Sequence, residues 1–169
     1  ANALMGTDLD DDTLIVSTSG RYEFRNKGID VYIEAMNRLL RDSNLKKNVL
    51  AFIDVPGWVG DPRQDLLERL ESGKKFDTPL EVPEITHWLH NMSHDNVLGM
   101  LKYFNMHNNK EDKVKLIFLP CYLTGDDGII NKSYYDVVLG NDLCIYPSYY
   151  EPWGYTPLEA VAFKVPCIT

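Results

Sequence analysis

The chain has 169 residues, 44% hydrophobic and 25% charged, with 17 Lys and Arg against 25 Asp and Glu. That size and balance suit a single soluble domain with a real core, and the formal charge of −8 argues against nucleic acid or anionic membrane as partners. No apolar run approaches membrane-helix length, no signal-peptide pattern opens the sequence, and Cys121, Cys144 and Cys167 lack CxxC spacing, so a reduced, cytoplasmic setting is expected.

In chain order, Ala1-Asn2-Ala3 reads as a cloning remnant, and residues 1–12, ending in the acidic stretch Asp8 to Asp12, as a mobile lead-in to a domain over 13–169. Leu14 to Ser19 is the first buried strand, and Gly20 to Gly28 a loop. A helix follows with Ile29, Ile33, Met36 and Leu40 on one face, then a second strand over Asn48 to Val55, which makes a βαβ opening. Arg21 and Lys27 therefore stand where the first strand ends and its helix begins. Two cations there can neutralise a diphosphate; solvated loop charges are the plainer reading of the same residues.

Pro56 to Asp61 is a turn region, and Asp61-Pro62 predicts a helix start running to about Leu70. Ser72 to Pro83 reads as an exposed loop. Ile85 to Asn105 has helical spacing in two pieces broken near Ser93 to Asn96, giving a helical insertion over about 72–113. His87, His90 and His94 would share one helix face, but no acid or cysteine is spaced to complete a metal site, so surface histidines and no metal are expected.

Val114 to Pro120 is the third strand, followed by a loop from Cys121 to Asn131 with a turn at Asp126-Asp127-Gly128. Ser133 should cap a helix over Tyr134 to Leu139. Tyr134 opens that helix near a strand end, where an aromatic ring packs on its neighbours or stacks on a nucleobase. The fourth strand, Leu143 to Tyr146, enters a loop rich in aromatics, Pro and Gly, and a helix over Pro157 to Phe163 and a short strand over Val165 to Thr169 follow. Gly154, Tyr155 and Thr156 form the helix mouth, whose free N–H groups favour an anion such as phosphate. Seven residues separate Glu151 from Glu159. Thr156 at the N-cap, Pro157 at the first helical position and Glu159 three residues past the cap fit a capping box, so Glu159 has a structural reading beside a functional one. Glu151 has no such role in folding and is the stronger site candidate.

The run PSYYEPWGYTPLEA resembles the C-terminal signature of glycogen synthases of the animal and fungal type, retaining glycosyltransferases of GT-B architecture. Gly20-Arg21-Tyr22-Glu23 with Asn26-Lys27-Gly28 matches that family's GRYE-x-x-NKG motif, about 130 residues earlier. The resemblance implies an α/β fold: a Rossmann-like parallel sheet with flanking helices, the C-terminal, donor-binding half of GT-B. It implies that Arg21 and Lys27 contact the donor's phosphates, that Glu151 orients sugar hydroxyls and favours the oxocarbenium-like centre, that Glu159 holds the ribose, and that Tyr134 stacks on the base. The phosphate-facing helix mouth is Gly154 to Thr156. It further implies transfer of glucose from UDP-glucose to an α-1,4-glucan with no metal and no cofactor, the acceptor being held by an N-terminal domain. Helices of the insertion would be available for homo-oligomer contacts. Ending on Ile168-Thr169, the sequence reads as a fragment, inactive alone. Two alternatives remain open: a non-catalytic nucleotide-sugar-binding or assembly module, and a GT-B transferase with another acceptor.

Overall fold

A computed structural model describes all 169 residues. The elements are α1 (Asn2–Met5), β1 (Leu14–Ser19), α2 (Ile29–Leu40), β2 (Val49–Asp54), β3 (Val59–Pro62), α3 (Gln64–Ser72), β4 (His87–Leu89), a 3-10 turn (Met92–His94), α4 (Asn96–Tyr103), β5 (Val114–Leu119), α5 (Tyr134–Leu139), β6 (Leu143–Ile145), α6 (Tyr155–Ala162) and β7 (Cys167–Ile168). Five strands form one parallel sheet in the order β5-β2-β1-β6-β7, and β3 pairs with β4 in a separate antiparallel ribbon. No helix is long and apolar enough to cross a membrane.

The sheet order follows from the sequence of its strands. β2 and β5 are mostly apolar, and β1 runs from Leu14-Ile15-Val16 into buried Ser17-Thr18-Ser19, which suits strands covered on both faces. Alternation along β2 sends Ala51 and Ile53 into a core with Tyr32, Ile33 and Met36 of α2 and Val97 and Leu101 of α4. Leu50 enters a second core on the opposite face, with Leu66 of α3 and Ile117 and Leu119 of β5. A third cluster joins Val138 of α5, Cys144, Tyr146 and Ala160 of α6. The chain thus winds outward from β1 in both directions. Strand order reverses between β1 and β6, so the loops leaving their C-terminal ends diverge and open a crevice.

Three expectations need correction. Residues 1–5 are not a loose remnant: Leu4 and Met5 of α1 are fully buried, and the Leu80 N–H donates to the Leu4 carbonyl. No helix begins at Asp61-Pro62. Val59 pairs with Leu89 and Pro62 with His87 across a register shift, an edge position where a missing N–H is tolerated, and α3 starts only at Gln64. Ile85 to Leu89 is extended rather than helical: Ile85 bridges to Phe118, and burial in β4 alternates. Helix returns at Asn96, where the Asp95 carboxylate caps the Leu98 N–H at 3.0 Å. The stretch 72–113 is therefore mixed: β4, which pairs back to β3, then the 3-10 turn and α4.

Candidate functional site

The two loops that flank the β1–β6 crevice are locked together by backbone. Gly28 has φ of 64°, and a Cβ there would lie 1.9 Å from the Pro147 carbonyl oxygen. Only glycine permits that approach. The Tyr149 N–H donates to the Asn26 carbonyl at 2.9 Å. This interlock brings Lys27 to Glu151, and the two form a hydrogen-bonded ion pair. Their side chains keep 13% and 24% of their surface. The Lys27 hydrogen bond holds the Glu151 carboxyl below its usual range against the opposing effect of partial burial, helped by the Lys27 charge, the Gly154 N–H and the Arg21 charge. Arg21 stands on the same rim but points outward, 78% exposed, with its Nε 3.2 Å from Glu23 Oε1.

α6 begins two residues earlier than its sequence suggests. Gly154, left-handed at φ 60°, is the N-cap, so Tyr155 and Thr156 are the first two helical residues. Pro157 falls in the first turn, where a missing N–H costs nothing. No side chain caps this helix, so the expected Thr156–Glu159 capping box does not form. Glu159 instead accepts a hydrogen bond from the Tyr135 hydroxyl at 3.3 Å. The capping box occurs in α5, where Ser133 Oγ accepts from the Asp136 N–H and the Asp136 carboxylate from the Ser133 N–H. It fixes Tyr134 at the start of α5, with its hydroxyl 2.9 Å from Ser19 Oγ at the end of β1. Burial raises the Tyr134 hydroxyl pKa.

Tyr134 borders a cavity of about 260 Å³ together with Ser19, Asp54, Cys121 and Thr156. Asp54 is the residue that sequence reasoning missed. It ends β2 in register with Ser19. It is buried, its Oδ1 has no hydrogen-bond partner, and burial pushes its carboxyl up to about 7. Nothing in Phe52-Ile53-Asp54-Val55 marks it; only the pairing of β1 with β2 carries it to the cavity. Burial pushes the neighbouring Cys121 thiol up to about 12, which keeps it an unreactive thiol at neutral pH.

The three spaced histidines share no helix. His87 lies in β4, His90 just beyond it, and His94 in the 3-10 turn. The fold brings a cysteine and an acid to His87 that spacing did not reveal: ligand atoms of His87, Cys121 and Asp127 lie within 4.8 Å of one another. Both imidazole nitrogens are engaged, however, Nδ1 with Thr86 Oγ1 at 2.9 Å and Nε2 with the Asp127 carbonyl at 2.8 Å. The Asp127 carboxylate accepts N–H groups of Ile129, Ile130 and Asn131. The cluster thus anchors the turn after β5.

The sequence model of the family described as Glycogen synthase matches residues 4–78 and 74–169, nearly the whole chain. The chain belongs to the glycogen synthase family. Among curated proteins it is similar to Glycogen [starch] synthase of Neurospora crassa, 31% identical over 94% of this chain and 30% of that protein. Isoform 2 of Saccharomyces cerevisiae is 30% identical over 94% of this chain and 31% of that protein. The human liver Glycogen [starch] synthase is 29% identical over 93% of this chain and 29% of its own length. The chain therefore spans about 30% of the length of the glycogen synthases it matches. The Neurospora match extends over 215 positions against 169 residues here, and the two matched stretches meet at 74–78, in the loop leaving α3.

Proposed function

We propose that this chain is the donor-binding part of a retaining glucosyltransferase that moves glucose from UDP-glucose to the end of an α-1,4-glucan in glycogen synthesis. The observation that carries the reading is the Lys27–Glu151 pair, set at the reversal of strand order beside the free first turn of α6. Breaking the bond from the sugar's anomeric carbon to the diphosphate leaves negative charge on the diphosphate and positive charge on the ring. Lys27, Arg21 and the N–H groups of Tyr155 and Thr156, approached closely past Gly154, offset the first. Glu151 orients the sugar hydroxyls and offsets the second. The acceptor hydroxyl oxygen closes the new bond, and its proton balances the charge of the departing diphosphate. Tyr134 covers the nucleobase at the cavity, and Glu159 takes the ribose. The glucan is held by an N-terminal domain, the helices of the insertion serve homo-oligomer contacts, and the setting is cytoplasmic.

Titration calorimetry with UDP and UDP-glucose tests this reading. Wild-type chain should bind both. Lys27→Met should weaken binding by about 10- to 100-fold, the scale of one lost hydrogen bond between charged groups. Glu151→Gln should weaken UDP-glucose more than UDP. Unchanged binding in Lys27→Met would remove the phosphate role on which the proposal stands.

A further inference from the structure

A carboxylate oxygen buried without a partner is costly, and native structures retain few of them. Asp54 Oδ1 is one, on a residue only 7% exposed that nevertheless borders the cavity beside Tyr134. No group of the chain donates a hydrogen bond to it. The Ser19 hydroxyl, next to it in register, is engaged with the Tyr134 hydroxyl, and the thiol of Cys121 is a weak donor. No cation borders the cavity. Oδ1 is sealed beneath the cavity wall, and the carboxylate's other oxygen, which likewise receives no hydrogen bond from the chain, is the one open to a donor brought by a ligand. The cavity, about 260 Å³, sits at the small end of ligand pockets and suits a single planar ring rather than a whole nucleotide.

We propose that Asp54 is a specificity-determining residue of the donor site, accepting the ring N–H of the donor's nucleobase and so selecting bases that carry a hydrogen there. This rests on the reading of the crevice as a nucleotide-sugar site. Uracil presents N3–H at that edge, whereas cytosine presents a bare N3 and adenine a bare N1. A carboxylate facing either lone pair repels it, and a site built around one hydrogen bond rejects analogues that lack it. Uracil also fits the small cavity better than guanine, the other base with a ring N–H.

Titration calorimetry of the whole chain at about pH 8, where a carboxyl titrating near 7 is ionised, tests the assignment with UDP, CDP, ADP and N3-methyl-UDP. Wild type should bind UDP at least about tenfold more tightly than the other three. Asp54→Leu should bring UDP, CDP and N3-methyl-UDP to comparable affinities without lowering Tm, since no buried polar group is orphaned by the change. Asp54→Asn, whose amide can also donate, should gain affinity for CDP. Equal binding of UDP and N3-methyl-UDP by wild type, or a UDP preference that survives Asp54→Leu, overturns the role of Asp54 and leaves the donor site standing. Absence of binding to any of the four overturns the donor reading and this inference with it. The wild-type comparison of UDP with its N3-methyl form decides the matter even if Asp54→Leu fails to fold.

Discussion

At the scale of single residues, two carboxylates, Asp54 at the end of β2 and Glu151 in the loop after β6, are driven in opposite directions. Glu151 is held ionised by Lys27, while Asp54 is pushed up to about 7 by burial. Their effects on stability carry opposite signs. Glu151 binds its proton less readily folded than unfolded, so its contribution is full above about pH 4.5 and is lost as pH falls through the lower folded value. Asp54 holds its proton up to about pH 7 in the folded chain and releases it near 3.8 when unfolded. Between those values the unfolded state binds fewer protons, so stability falls as pH rises. Asp54→Asn removes that loss. Denaturant unfolding should find it more stable than wild type by on the order of 2–4 kcal/mol at pH 8, with little difference near pH 4, because each tenfold change in proton affinity is worth about 1.4 kcal/mol. A gain of the same size at both pH values would contradict the assignment. Glu151 stood out in the sequence because an acid between two tyrosines and Pro-Trp-Gly has no evident local folding role, and the structure pairs it with Lys27 across 124 residues. Asp54 did not stand out, because its meaning lies in what fails to contact it.

At the scale of elements, the least legible part of the chain is the ribbon and its neighbours. Three residues of β4 are too few to show a period, and histidines spaced three and four apart imitated a helix face. What holds this region is Arg63, fully buried, which donates to the carbonyls of Glu81 (2.6 Å), Val82 (2.6 Å) and Ile85 (3.3 Å), pairs with Asp65 and stacks 4.4 Å from the Trp88 ring. Val82 itself is left-handed at φ 50°, a strained conformation for a β-branched residue that the guanidinium helps to fix. Arg63→Ala should cost about 3–5 kcal/mol by stranding those carbonyls and the Asp65 charge. Thermal unfolding should show the drop, and hydrogen exchange should show faster exchange at the Thr86 and His90 amides. Arg63→Lys should rescue only part, since an ammonium lacks the planar fork. The sheet was easier to read: short apolar stretches beginning at Leu14, Val49, Val114 and Leu143 have no competing period, and both sequence motifs fall on loops leaving the β1–β6 edge. α1 escaped notice because a helix of four residues has no periodicity to detect.

At the scale of the whole molecule, the crevice has one wall. Tyr149, Tyr150, Trp153 and Tyr155 stand 69–76% exposed beside it, an aromatic surface open to solvent. On the proposed reading this chain, about 30% of the length of the synthases it matches, should bind nucleotide yet add no glucose to a glucan primer, and incorporation of labelled glucose is the check; elongation by this chain alone would contradict the proposed division of labour. The net charge of −8 sharpens the demand on the few cations at the rim, so nucleotide affinity should weaken as ionic strength rises. The pairing of Lys27 with Glu151 has a further effect on which molecules can occupy the crevice. Left empty, the site answers its own charges. A free diphosphate that claims the ammonium strands the carboxylate, so it binds at the expense of a broken contact. A molecule that offers phosphate to one partner and hydroxyls to the other breaks the pair and re-satisfies both halves. Under the proposed donor role, the pair acts as a lock with two keys on one ring: it would favour the intact sugar nucleotide over its own spent diphosphate, and once the sugar has left, the closing of the pair would help to expel what remains.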